Sequence, residues 1–230
     1  MGKNITFTDL VGVGKEFYPK PASSFIPDWY KDTQSYSTGK KEVLVEGEVT
    51  STIKHCMPVF DALTLGYIIP TYVDIYVRQE NGAPYYSWAS HDAISFHPNG
   101  QLSKHPRAGI FDAPKWKNPF SIKTPEGYSV LLVPPIHHPN EYFEILEGVV
   151  DSDRYTAQVN LPFILKDTSF EGLIPAGTPL VQVIPFKRDS WQMSLGGESE
   201  KLTSFEDGRR LTTRFFDRYK NLFRVTKEFK

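Results

Sequence analysis

Cysteine is almost missing from this chain: Cys56 stands alone among 230 residues. No disulfide framework can form within the chain, and a reducing, cytoplasmic setting is the expectation. No apolar run approaches the ~20 residues that a membrane-spanning helix requires, so no membrane partner is expected. A charge surplus is missing as well, with 26 Lys and Arg against 27 Asp and Glu and a formal net charge of −1. That balance excludes a general attraction to nucleic acid or anionic lipid and leaves only local patches. A P-loop is lacking too. The segment VGVGKEF at 11–17 has a Gly-Lys pair, but neither the earlier glycine at the required spacing nor the following Ser or Thr.

Turn formers and aromatic rings are abundant, with 18 prolines, 16 glycines and 14% aromatic residues. Pro and Gly interrupt helices and rings suit pleated surfaces, so the expected class is mainly β with many short strands. A chain of this length can bury a full core as one domain. The expected organisation is a single β domain over 1–230, with an N-terminal arm at 1–41, a β core at 42–190 and a C-terminal amphipathic helix at 202–230.

The arm is punctuated by Pro19, Pro21 and Pro27 and anchored by Phe25, Ile26, Trp29 and Tyr30. Val43, Val45 and Val49 alternate with Glu42, Glu46 and Glu48, which is the pattern of a half-buried strand. Asn81-Gly82 separates two strand-like runs and predicts a hairpin. Residues 91–119 lack periodicity and predict a long irregular connection. This stretch gathers His91, Asp92, His97 and His105, whose spacing is not diagnostic of a metal site, and no metal ligand is assigned there. From Phe120 to Lys187 the chain is a succession of strands bounded by Pro, Gly or Asp. Beyond it, Leu202, Phe205, Leu211, Phe215, Tyr219, Leu222 and Phe223 fall near helical spacing, with Ser204 and Asp207 as a candidate cap. Nine Lys or Arg against four Asp or Glu over 201–230 make this helix basic, a candidate surface for a protein partner.

The run LEGVVDSDRYTAQVNLPFIL at 146–165 is the most informative. It is rich in Val, Leu and Phe, yet Asp151 and Asp153 sit in its middle. An ionised carboxylate without a partner is costly in a buried strand, so this pair marks either a strand-ending turn or a site.

Taken with its neighbours, the run resembles the core of the dUTPase and dCTP deaminase superfamily over roughly residues 120–187. The resemblance lies in a Pro-Glu-Gly turn into a strand, then Gly148-Val149-Val150-Asp151-Ser152-Asp153, an apolar strand, and Ile174-Pro175-Ala176-Gly177 leading to Gln182. It implies a dUTPase-like antiparallel β-barrel or jelly-roll-like core, a homotrimer, and a phage or prokaryotic protein. It also implies that Asp151 orients a hydrolytic water; in a metal-assisted pyrophosphatase, one alternative reading, Asp153 helps hold Mg²⁺ through water. Tyr155 would stack on a sugar, one position late because Arg154 intervenes. Gln182 would hydrogen-bond neighbouring backbone. Where the family carries Arg and Ser to bind phosphates, this chain has PPIHHPN at 134–140, leaving His137 and His138 to meet a phosphate without the fixed charge of arginine. A C-terminal glycine-rich arm with Arg and a stacking Phe is also lacking.

The expected function is therefore binding of a nucleotide or other small phosphorylated ligand by a diverged dUTPase-like protein, with Asp151, Asp153, Tyr155, His137, His138 and Gln182 as candidate site residues. The alternatives are an Mg²⁺-dependent nucleotide pyrophosphatase, or a non-enzymatic assembly or inhibitor protein that keeps the core as a scaffold.

Overall fold

The computed structural model describes residues 3–42, 50–90, 92–98, 101, 104–106, 114–212 and 219–230. In chain order the elements are β1 (Thr6–Asp9), β2 (Lys20–Pro21), α1 (Asp28–Asp32), α2 (Met57–Leu63), β3 (Tyr67–Pro70), β4 (Ile75–Glu80), β5 (Ala83–Ser87), β6 (Ile94–Phe96) and β7 (Pro114–Lys117). They continue with β8 (Phe120–Lys123), β9 (Tyr128–Val133), β10 (Phe143–Ile145), β11 (Gly148–Val150), β12 (Asn160–Leu165), β13 (Gly172–Ile174), β14 (Pro179–Lys187) and α3 (Glu198–Thr212). Short 3-10 turns lie at Lys15–Phe17, Ala22–Phe25 and Ile53–His55, and a π-turn at Tyr219–Phe223.

Backbone contacts divide the chain into two compact units. The first comprises Met1–Pro27, Leu63–Arg188 and Phe229–Lys230, and it holds all the strands found among the described residues. The second comprises Asp28–Ala62 and Asp189–Glu228. Its best-tied point is Asp61, 11% exposed, which accepts from Arg224 Nη2 at 2.7 Å and Lys227 Nζ at 2.7 Å.

The strands form four antiparallel sheets, ordered β1-β8, β10-β12-β7-β6, β11-β9-β14-β3-β2 and β13-β4-β5. Mainly β, antiparallel structure agrees with the sequence. Among the described residues no sheet closes on itself, so the expected barrel is corrected to four open sheets. The hairpin at Asn81-Gly82 is present: both residues have positive φ, 53° and 79°, the backbone that a two-residue turn with matching twist demands.

Burial follows each strand's place. In β4, Ile75 and Val77 are buried while Tyr76 and Arg78 are exposed, the alternation of a half-covered strand. In β14, Leu180, Val181, Gln182 and Val183 are all buried, because this strand runs between β9 and β3 in the five-stranded sheet. The core centres on Trp116, Phe143 and Phe163, whose ring centroids lie 5.3 to 5.7 Å apart in tilted and edge-on pairs. Such geometry suits the ring quadrupoles.

Three expectations are corrected. Residues 91–119 are not one irregular connection, since they contain β6 and β7, which pair with each other. Both strands are too short to show a period. The C-terminal helix does not run from 202 to 230. It spans Glu198–Thr212, and residues 224–230 are not helical, because Arg224 and Lys227 are drawn to Asp61 and tertiary contact overrides propensity. Its start is set by Gly197, whose N–H donates to Glu200 Oε2 at 2.9 Å, while Ser204 lies inside the helix and donates to the Glu200 carbonyl. Leu202 and Phe205 on this helix are 61% and 59% exposed. The expected strand at Val43, Val45 and Val49, and His91, lie outside the described residues.

Gly66 marks a close approach of backbones. Its φ is +71°, and a Cβ built there would meet the Val183 carbonyl oxygen at 2.2 Å. Gly82 has φ +79° and open space around it. Gly66→Ala is expected to cost on the order of 2 kcal/mol or more, and Gly82→Ala only about 1, because the second carries the backbone strain without the clash. Denaturant midpoints measured for both variants check this; equal shifts would refute the close approach.

Candidate functional site

The sequence run that carries two aspartates leaves the sheet at Val150, the last residue of β11. The chain then makes a single helical turn: the N–H groups of Arg154 and Tyr155 both donate to the Asp151 carbonyl, at 2.9 and 2.8 Å. Residues 151–155 are therefore not extended. The intervening Arg154 therefore does not turn Tyr155 to the opposite face, since alternation of faces belongs to strands.

Three contacts lock this turn onto the bend between β8 and β9. Thr124 donates its hydroxyl proton to the Tyr128 carbonyl at 3.0 Å, so the 2.7 Å contact between Thr124 Oγ1 and Ser152 Oγ is donated by Ser152. Thr124 N–H donates to the Ser152 carbonyl at 3.3 Å. Gly127 N–H donates to Asp153 Oδ2 at 2.9 Å, while the Gly127 carbonyl accepts from Arg188 N–H at the same distance. Gly127 holds φ +80°, the left-handed backbone that lets its N–H and carbonyl face the two partners.

Arg188, just past the end of β14, completes the cluster. Its Nη1 donates to Asp153 Oδ1 at 2.8 Å, to Ser129 Oγ at 2.9 Å and to the Tyr128 carbonyl at 3.0 Å, and its Nη2 donates to Asp153 Oδ2. This is a bidentate arginine-carboxylate pair, the strongest common form of charged hydrogen bond. The Asp153 side chain is only 3% exposed. The Arg188 hydrogen bonds first, and the Gly127 N–H with them, hold the Asp153 carboxyl well below the usual carboxylate range.

Asp151 is placed differently. Its Oδ1 accepts from Ser129 Oγ at 2.6 Å and, at 3.4 Å, from Arg188 Nη1. Among the described residues no protein group donates to its Oδ2, and the side chain is 58% exposed. The two aspartates thus divide the work: one carboxylate is consumed by the fold, and the other is oriented by it yet open to solvent. Tyr155 shares the turn, 50% exposed, with its hydroxyl donating to the Gln158 carbonyl at 3.3 Å.

His137, His138 and Gln182 lie elsewhere. Gln182 pairs with Val133 and Lys187 with Tyr128, so the two groups of residues sit five strand positions apart, about 17 Å along the β9-β14 ladder. Gln182 is fully buried; its Oε1 accepts from Ile136 N–H at 2.8 Å and its Nε2 donates to the Leu65 carbonyl at 2.6 Å. It pins the loop that presents the histidines. His137 has a left-handed backbone, φ 58°, and the His138 imidazole is pushed toward its neutral form by burial and by His137 beside it. A neutral ring supplies no fixed charge to a phosphate. The expected six-residue constellation therefore separates into an Asp151, Asp153 and Tyr155 group and a His137, His138 and Gln182 group.

Sequence reading missed Arg188. A signal existed: apart from Arg154, no arginine occurs between residues 108 and 187, and Arg188 follows the last strand at once. A chain with two aspartates at one strand end needs a cation at a neighbouring end. Finding it also requires the register that sets Lys187 against Tyr128.

Mg²⁺ commonly takes one or two carboxylates and completes its shell from water and ligand phosphates. Asp153 does not fit this role, because both its oxygens are spent on Arg188 and Gly127. Asp151 fits as a single carboxylate ligand, so a Mg²⁺ carried in by a phosphorylated ligand matches the donors here and a resident, fully protein-held ion does not. Among the described residues no group of three His, Cys, Asp or Glu gathers to hold a metal. Asp92 is paired with Lys117, and His97 Nδ1 faces Gln101 Oε1 at 2.7 Å.

The depressed carboxyl fixes a pH dependence. Because the folded pKa of Asp153 lies below the unfolded value of about 3.9, its contribution is fully present above that value and is lost as pH falls toward the folded one. The melting temperature is expected to drop as pH is lowered from about 5 to 3. Asp153→Asn should melt lower than the parent at pH 7 and show a shallower acid decline. An unchanged acid slope in the variant would remove this pair from the acid response.

No family model matches the chain, and no curated protein matches it. Among solved structures it is similar to a mutant dUTPase from phage phi11 of S. aureus, a structure described for its coordination of a structural Mg(II) ion. The identity is 11% and the TM-score 0.34, over 86% of this chain and 99% of that chain. The chain thus bears a distant likeness to a phage dUTPase.

Proposed function

We infer that this chain binds a nucleotide or other small phosphorylated ligand at the Asp151 end of β9, as a diverged dUTPase-like protein. The observation that carries the reading is the Asp151 carboxylate, held by Ser129 and Arg188, with one oxygen that has no protein partner among the described residues. An oriented, solvent-open carboxylate on a rigid turn accepts a ligand hydroxyl or an ordered water with little reorganisation. The resemblance of residues 148–153 to the dUTPase and dCTP deaminase motif supports the class of ligand.

Charge shapes what such a ligand brings. Asp151 and Asp153 are offset by Arg154 and Arg188, so this end offers no surplus of positive charge to a polyphosphate. Arg188 is committed to Asp153 and cannot turn to a phosphate without stranding a 3% exposed carboxylate. Charge on the phosphates is then met by Mg²⁺ arriving with the ligand at Asp151, which is the chemistry the ion supplies when bound. Tyr155, half-exposed on the same turn, is the ring available for stacking on a sugar or base.

The test is a thermal-shift screen against nucleoside and deoxynucleoside mono-, di- and triphosphates, with and without Mg²⁺, with product analysis of any hit. A ligand at ~100 times its dissociation constant adds about 2.7 kcal/mol of stability. Asp151→Asn is expected to weaken binding of the hit at least tenfold while leaving the melting temperature of the free protein within about 2 °C, since that side chain is largely exposed. No shift with any nucleotide, or an undiminished shift in Asp151→Asn, would sink the reading.

A further inference from the structure

The turn that follows β11 has two sides. Ser152 is fully buried and the Asp153 side chain nearly so, and both are tied to the bend between β8 and β9. Asp151, Arg154 and Tyr155 are exposed. Positions i, i+3 and i+4 of a helical turn lie on one face, and the N–H groups of Arg154 and Tyr155 both donate to the Asp151 carbonyl, which makes these three residues such a set. A carboxylate, a guanidinium and a phenol ring therefore share the outer face of one turn.

The two arginines at this end are in different states. Arg188 is bound to Asp153, Ser129 and the Tyr128 carbonyl. The Arg154 guanidinium makes no hydrogen bond or ion pair among the described residues. Its charge still reaches the cluster: the Asp153 carboxyl is held down first by the Arg188 hydrogen bonds and, more weakly, by the Coulombic pull of Arg154. The Arg188-Asp153 pair is neutral in itself. On the outer face of the turn, the groups that remain to meet a ligand are one cation, Arg154, and one anion, Asp151.

A guanidinium with no partner to give up can close on a phosphate as a forked pair, which Arg188 cannot do without abandoning a buried carboxylate. One fork offsets much of the charge of one phosphate monoester, about −1.5 to −2 at pH 7. Each further phosphate meets the Asp151 carboxylate as a like charge and calls for another cation. The turn carries no second free guanidinium, so that cation comes with the ligand.

On the reading of the Asp151 end as a phosphorylated-ligand site, we propose that Arg154 grips a single phosphate, so that a nucleoside monophosphate binds without a metal ion and the matching triphosphate only with Mg²⁺ at Asp151. In the monophosphate complex Asp151 accepts a ligand hydroxyl and Tyr155 lies against the sugar or base. In the triphosphate complex the ion on Asp151 offsets the charge that the fork leaves over.

Titration calorimetry on the full chain, with the common ribo- and deoxyribonucleoside 5′-monophosphates and the matching triphosphates, is run in EDTA and in Mg²⁺. At least one monophosphate is expected to bind in EDTA with an affinity that Mg²⁺ leaves unchanged, whereas EDTA weakens its triphosphate by roughly tenfold or more. Arg154→Ala is expected to weaken that monophosphate by roughly tenfold or more, the loss of a charge-assisted hydrogen bond. Arg154→Lys should fall between the two, since it keeps the charge and loses the fork. Arg78→Ala, which removes an exposed arginine from β4 in another sheet, is expected to bind as the parent does. Both Arg154 variants are expected to melt within about 2 °C of the parent, because that side chain is exposed; a much lower melting point in both would make Arg154 structural and overturn the proposal. No monophosphate bound in EDTA overturns it, as does a triphosphate that needs no ion, or a monophosphate held as tightly by Arg154→Ala as by the parent. A ligand lost in Asp151→Asn but kept in Arg154→Ala leaves the site standing and removes Arg154 from it, while no binding by any nucleotide removes both.

Discussion

The guanidinium of Arg188 joins chain segments from three strands of one sheet. It follows β14, reaches the Tyr128 carbonyl and Ser129 of β9, and grips Asp153 in the turn that ends β11. Three neighbouring strands of one sheet are thereby tied at the same end. The planar fork of arginine is suited to this, since its several donors leave in fixed directions, whereas a lysine ammonium offers a point charge. With the turn fixed, Ser129 can hold one oxygen of Asp151 and leave the other open. The geometry of the candidate site is a by-product of how the sheet is closed off at that end.

Apolar burial gives this arrangement something rigid to rest on. Trp116, Phe143 and Phe163 pack in the first unit, and the central strand β14 is buried through Leu180 to Val183. A polar residue in that stretch, Gln182, is tolerated because both ends of its amide find backbone partners. The same amide sets where the His137-His138 loop leaves the sheet. One strand therefore carries two different polar anchors, Gln182 near its start and Arg188 just past its end, each governing a separate loop.

Much of this was legible in the sequence. Strands bounded by Pro, Gly or Asp from Phe120 to Lys187 have the expected places, as does the Asn81-Gly82 hairpin, because turn chemistry and alternation are local signals. The turn after β11 was legible as one of two readings of Asp151 and Asp153. The structure places both aspartates in that turn and distinguishes them by burial. What was not legible depended on contacts distant in sequence. Arg188 acquires its role only through the β9-β14 register, the separation of His137 and His138 from Asp151 follows from their lying at opposite ends of that ladder, and β6 and β7 are strands chiefly because each has the other to pair with. The helix extent failed for the same reason, since Asp61 claims Arg224 and Lys227 from 163 and 166 positions away.

The contrast between the two aspartates has a consequence for how this sequence can drift. Gly127, Asp153 and Arg188 are bound to one another through two backbone and two side-chain links, so a change at any one leaves a buried charge or a strained turn behind. They are expected to vary among descendants as a set or not at all. Asp151 carries no such obligation, because most of its side chain faces water. A lineage can exchange that one carboxylate, and with it the chemistry offered to a ligand, while inheriting the scaffold unaltered.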